Sequence, residues 1–137
     1  MKMKFQDAKD ILTIDKSELE LSQRALEIDI KTQNVLMREI VSALKHTIEL
    51  NHIISLSAPA IGYNRRIFCI KFDTDIKTFI NPVIVNQKGI QLAEEVCTSI
   101  PGRTFIRPRN TDITVMYQKP TGSIESRQLV GLAAVVF

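Results

Sequence analysis

The residues best placed for chemistry are Glu95-Val96-Cys97-Thr98-Ser99-Ile100-Pro101-Gly102, a cysteine between a carboxylate and a hydroxyl just ahead of a Pro-Gly pair. A thiolate at the end of a rigid strand can ligate a metal or attack an electrophile, and a neutral thiol is a small buried hydrophobe. Taken alone, the stretch fits the buried thiol at least as well as the ligand. Cys69, inside Ile67-Phe68-Cys69-Ile70-Lys71-Phe72, is most simply a packed core thiol. His46 and His52 are six residues apart, so they do not share a helical face as an i,i+4 metal pair would. They read as polar residues at a helix C-terminus, where a positive imidazole suits the dipole. Arg103, Arg107 and Arg109 alternate with Phe105 and read as a solvated strand edge rather than a phosphate site.

The elements that must position these residues follow from periodicity. Leu36, Ile40, Leu44 and Ile48 recur every four residues with Val41 beside them, which predicts an amphipathic helix over 32–52. Ahead of it, residues 1–31 read as an irregular arm wrapping a core. Behind it, Ile54–Gly62 is a run of small residues that lets backbone pass close to another element. Ile67–Phe72 and Thr78–Val85 are β-branched and aromatic and predict strands. Ile90–Ser99 predicts a strand that delivers Cys97 to its end, broken by a turn at Pro101-Gly102. Thr111–Gln118 is another strand, and Lys119-Pro120-Thr121-Gly122 turns the chain into Ser123–Gln128. Leu129–Phe137 is apolar throughout and reads as the first turns of a helix buried on all sides.

Composition bounds the class. A chain of 137 residues fits one core, since single cores run to roughly 100–150 residues. With 45% hydrophobic and 24% charged residues it is neither disordered nor fibrous. A net charge of +3 is too weak to argue for DNA binding. The longest apolar run, Leu129–Phe137, falls far below the roughly 20 residues that cross a bilayer. Two cysteines and a short charged opening without an apolar signal core predict a reduced, cytoplasmic setting.

Together these stretches resemble the peptide deformylases, metalloenzymes that remove the formyl group from N-formylmethionine at the start of new polypeptides. The family pattern is G-x-G-φ-A-A-x-Q after a helix, E-G-C-L-S on a strand and H-E-x-x-H on a helix. Ile53–Ala60 followed by Ile61-Gly62 is similar to the first and Glu95–Ser99 to the second, and Phe79-Ile80-Asn81-Pro82 between them matches the family's F/I-N-P strand. The resemblance implies one α+β domain over 1–137. Mostly antiparallel strands would surround a helix that follows Gly131 and is incomplete here, with the 32–52 helix packed beside them.

The departures bear on activity. No H-E-x-x-H is present, Ala60 stands where the family has glutamine, and Ser55 and Val96 replace glycines. In the family a divalent metal (iron, zinc, nickel or cobalt), held by Cys and two His, lowers the pKa of a bound water. The helix glutamate moves the proton, and the glutamine amide and a backbone N–H stabilise the oxyanion. Carried over residue by residue, the resemblance keeps Cys97 as the one metal-ligand position and the Thr98 backbone N–H as an oxyanion donor. No cofactor is expected in this chain, because a single thiolate does not hold a metal against water. The expected reading is an inactive homologue, with a truncated active enzyme as the alternative. The implied peptide groove comprises Ile54, Ser55, Leu56, Leu132, Val135 and Val136, with Glu95 and Val96 at its rim. Its expected partner is an N-formylmethionyl peptide or another peptide N-terminus. Self-association through the apolar tail is the reading from another class. A ribosome contact through Arg103, Arg107 and Arg109 rests on charge alone.

Overall fold

The computed structural model describes Lys9, Ile11 and residues 24–97 and 100–130, giving the backbone but not the side chains of 92–97 and 100–107. Helix α1 (Asn34–Asn51) buries Ile40, Leu44 and Ile48 completely, the stripe that the four-residue period predicts. Met37, Ala43 and Thr47 widen that stripe into a full face. The helix stops at His52, which takes a left-handed conformation and donates its N–H to the Ile48 carbonyl.

Among the described residues seven strands follow: β1 (Ser55–Ser57), β2 (Ile67–Phe72), β3 (Asp75–Lys88), β4 (Gln91–Cys97), β5 (Ile100–Arg109), β6 (Asp112–Gln118) and β7 (Ile124–Val130). β1, β2, β3, β6 and β7 form one antiparallel sheet in the order β1-β2-β3-β6-β7, and β4 pairs with β5 in a second sheet. The architecture is α+β, as expected.

Directly opposed residues share a face of a sheet, so the register sorts the core in two. Leu56 opposite Cys69 and Ile67 opposite Ile80 point toward α1 and join Met37, Ile40, Leu44 and Ile48 in an aliphatic cluster. Phe68 opposite Phe79 points the other way, into a cluster with Ile70, Ile113, Val115, Tyr117 and Leu129. There the Phe79 and Tyr117 rings lie 4.5 Å apart at 58°, a favoured tilted arrangement. The Tyr117 hydroxyl donates to Glu125 at 3.1 Å, and the Arg127 guanidinium lies 4.7 Å from the centre of the Phe72 ring.

The arm before α1 is tied to this sheet. Asn81 has φ +50° at a bulge between Ile80 and Val83, a conformation that asparagine tolerates better than most residues. Its Oδ1 accepts the Ile28 N–H at 3.0 Å, and its Nδ2 donates to the Ile28 carbonyl and to Gln118, each at 2.8 Å. Ile28 and Ile30 are thereby held in the core, so residues 24–31 do wrap it.

Two expectations need correction. Pro101 and Gly102 do not end a strand; they lie within β5. The register passes from Cys97↔Ile100 to Val96↔Thr104, so residues 101–103 are extra residues of a bulge. Among the described residues β4 and β5 form a sheet of two strands, which leaves each an edge where a strand accepts proline. Arg103, Arg107 and Arg109 lie within β5, so their alternation with Phe105 falls on a strand. Leu129 and Val130 close β7 instead of opening a helix: Leu129 pairs with Ile113 and is buried by the second cluster. The rest of that expected helix, and the element after Gly131, lie outside the described residues.

Candidate functional site

The first motif builds an edge and a turn. The Lys71 N–H donates to the Ile54 carbonyl at 2.7 Å, which makes 54/71 a hydrogen-bonded pair. Such pairs alternate in antiparallel ladders, so Leu56 also faces β2 and the main-chain groups of Ser55 point outward, with the Ser57 N–H. β1 ends its sheet, so among the described residues no strand covers that side. Of the expected groove residues, Ile54 is exposed, Ser55 is half-buried, and Leu56 is 3% exposed with its side chain in the α1 cluster.

Beyond β1, Ala58–Ile61 forms a 3-10 turn with a proline in its first positions, closed by Gly62 at φ +95°. Ala58, Ala60 and Ile61 are all buried in the aliphatic cluster. Ala60, at the family's glutamine position, therefore adds a methyl group to the core and offers no side-chain donor.

The second motif lies on β4, whose last residue Cys97 pairs with Ile100 where the register shifts. The side chains of Glu95, Val96 and Cys97 lie outside the described residues, as do Thr98, Leu132, Val135 and Val136 altogether.

Of the two histidines, His46 lies within α1 and His52 at its C-cap. His46 is 5% exposed, with Nδ1 3.3 Å from the Ser42 hydroxyl, so it is a buried residue rather than a polar helix end; His52, which caps the helix, is exposed. Among the described residues no three His, Cys, Asp or Glu side chains converge.

Cys69 is wholly buried, and burial pushes its thiol up to about 11 against weaker opposing effects from the Thr78 hydroxyl and Lys45. It is an inert packing group. Burial, followed by the Glu125 contact, raises the Tyr117 phenol above its ordinary value. Three features escaped sequence reasoning: the Asn81 clamp, the second hydroxyl at Ser57 in a family alanine place, and Ile53 in the place of the motif's first glycine. The Asn-Pro pair was the visible signal for the first, and the motif itself for the other two.

Comparison with known proteins agrees with this architecture. A family model described as polypeptide deformylase matches residues 8–137, and the chain belongs to the peptide deformylase family. The peptide deformylase of Thermomicrobium roseum is 32% identical over 111 residues, covering 74% of this chain and 62% of that protein. The Clostridium botulinum peptide deformylase is 32% identical over 83 residues, covering 58% and 56% respectively. The chain thus spans about six-tenths of the length of these curated relatives. Among solved structures, the Thermotoga maritima peptide deformylase superposes with TM-score 0.85 at 27% identity, covering 95% of this chain and 86% of that one. A class I type b enzyme from Acinetobacter baumannii, solved with Met-Ala-Ser bound, shares the fold at TM-score 0.85 and 17% identity, covering 94% and 87%. Among the described residues no helix is long and apolar enough to cross a membrane.

Proposed function

We propose that residues 1–137 form one deformylase-like domain that binds peptide N-termini in the cytoplasm without hydrolysing a formyl group. The observation that carries this reading is Ala60, drawn into the aliphatic cluster where the family's oxyanion-stabilising glutamine would stand. Losing one such donor costs about a hundredfold or more in rate. Cys97 and the Thr98 backbone N–H, family positions that this sequence keeps, would orient a bound peptide.

Family membership supports the ligand class, and a neighbour of the same fold holds Met-Ala-Ser. The groove would take the methionine side chain against Ile54, Leu132, Val135 and Val136, with Leu56 supporting from beneath and Glu95 and Val96 at the rim. Supplying the purified chain with cobalt, nickel or iron(II) and formyl-Met-Ala-Ser should release no formate. Sustained formate release would overturn the non-catalytic reading and restore the family reaction to this chain.

A further inference from the structure

Position 60 has no side-chain donor, yet the neighbouring strand carries two hydroxyls that the family pattern lacks. Ser55 occupies a glycine place and Ser57 an alanine place in that pattern. The register Ser55↔Ile70 and Ser57↔Phe68 sets both on the aromatic face of the sheet, away from α1. Each is half-buried, and neither hydroxyl has a hydrogen-bond partner among the described residues or is sealed from solvent. Alternate residues of a strand are about 7 Å apart, the repeat of same-side groups in any extended peptide, so one ligand can meet both hydroxyls. The outward main-chain groups of Ser55 and the Ser57 N–H lie along the same edge. An unpaired edge of this kind accepts an extended segment by strand addition.

We propose that the Ser55 and Ser57 hydroxyls donate to carbonyl oxygens of an extended peptide N-terminus seated on the β1 edge, standing in for the side-chain donor that alanine at position 60 does not supply. The inference rests on the peptide-binding reading above and deepens it. Polar recognition has moved from the 3-10 turn to the strand before it. Position 60 now packs, and positions 55 and 57 bind.

The test is calorimetric titration of the full chain with formyl-Met-Ala-Ser, with thermal unfolding of every variant alongside. Ser55→Ala and Ser57→Ala should each weaken binding about threefold to tenfold, the range for one neutral hydrogen bond, without a matching loss of stability. Ser55→Thr, which keeps the hydroxyl, should bind like wild type. Should Ser55→Ala fail to fold, Ser57→Ala and Ser55→Thr still decide the matter. Equal binding by wild type and the Ser57→Ala or double alanine variant overturns the inference and leaves peptide binding standing. Tighter binding by Ser55→Gly also overturns it, since the hydroxyl would then be an obstruction. A wild-type chain that takes up no peptide removes both readings.

Discussion

The two faces of the five-stranded sheet are built to different rules. Toward α1 the sheet presents Leu56, Ile67, Cys69 and Ile80, closed by the helix stripe into an aliphatic core. On the opposite face Phe68, Phe79 and Tyr117 pack as rings, and Glu125, Lys119 and Arg127 surround them with charge. The first face supports the fold with mostly aliphatic content, and Ala60 sits in it. The second face keeps polar groups beside packed rings, and Ser55 and Ser57 open onto it. Support and chemistry are therefore separated by one strand's pleat: a residue's place in the alternation decides which it serves.

The largest test of this contrast is Phe79→Ala. Phe79 is fully buried and pairs with Tyr117, so its removal should cost about 3–5 kcal/mol in urea unfolding. A loss below about 1 kcal/mol, the scale of an ordinary surface change, would mean that the second face is no true core.

Alkaline titration probes the first face. The Cys69 thiol ionises near 9.0 when unfolded and at about 11 when folded, so between those values the unfolded chain holds fewer protons and stability falls as pH rises. The contribution is intact below the lower value and declines through the window by about 2–3 kcal/mol, at roughly 1.4 kcal/mol per unit. Cys69→Val should flatten that part of the stability profile; identical slopes for the two proteins would show the thiol to be wetter than its packing implies.

A smaller effect is expected at the junction of arm and sheet. Asn81→Ala leaves the Ile28 amide and carbonyl without their side-chain partners and should cost about 1–3 kcal/mol. It should also make the arm more sensitive to limited proteolysis. Unchanged protease resistance would show that Ile28 and Ile30 hold the arm by apolar contact alone.

Much of this was legible in the chain itself, and the misses share a cause. α1 could be read because its apolar spacing is local and repeated, and β2 and β3 because β-branched and aromatic residues cluster there between turn residues. The family motifs made the fold class readable as well. Pro101-Gly102 misled because the pair signals a turn locally, whereas its role as a bulge is set by the pairing of β4 with β5. Leu129 and Val130 misled because a short apolar run has no period, and only pairing with β6 makes it a strand. The place of Ala60 in the core was hidden for a similar reason: the motif reveals what is missing at position 60 but not where the methyl points. Asn81 is separated from Ile28 by 53 residues, beyond the reach of any local pattern.

That separation carries a consequence for the order of assembly. The Ile28 amide can be shielded only after β3 and β6 have paired and the bulge has set Asn81 in its left-handed geometry. Its hydrogen exchange should thus be slow only while the whole sheet is intact, and should quicken at the same denaturant concentration as the amides of β6. One proton ahead of α1 reports the completion of a sheet whose strands β3 and β6 come much later in the chain.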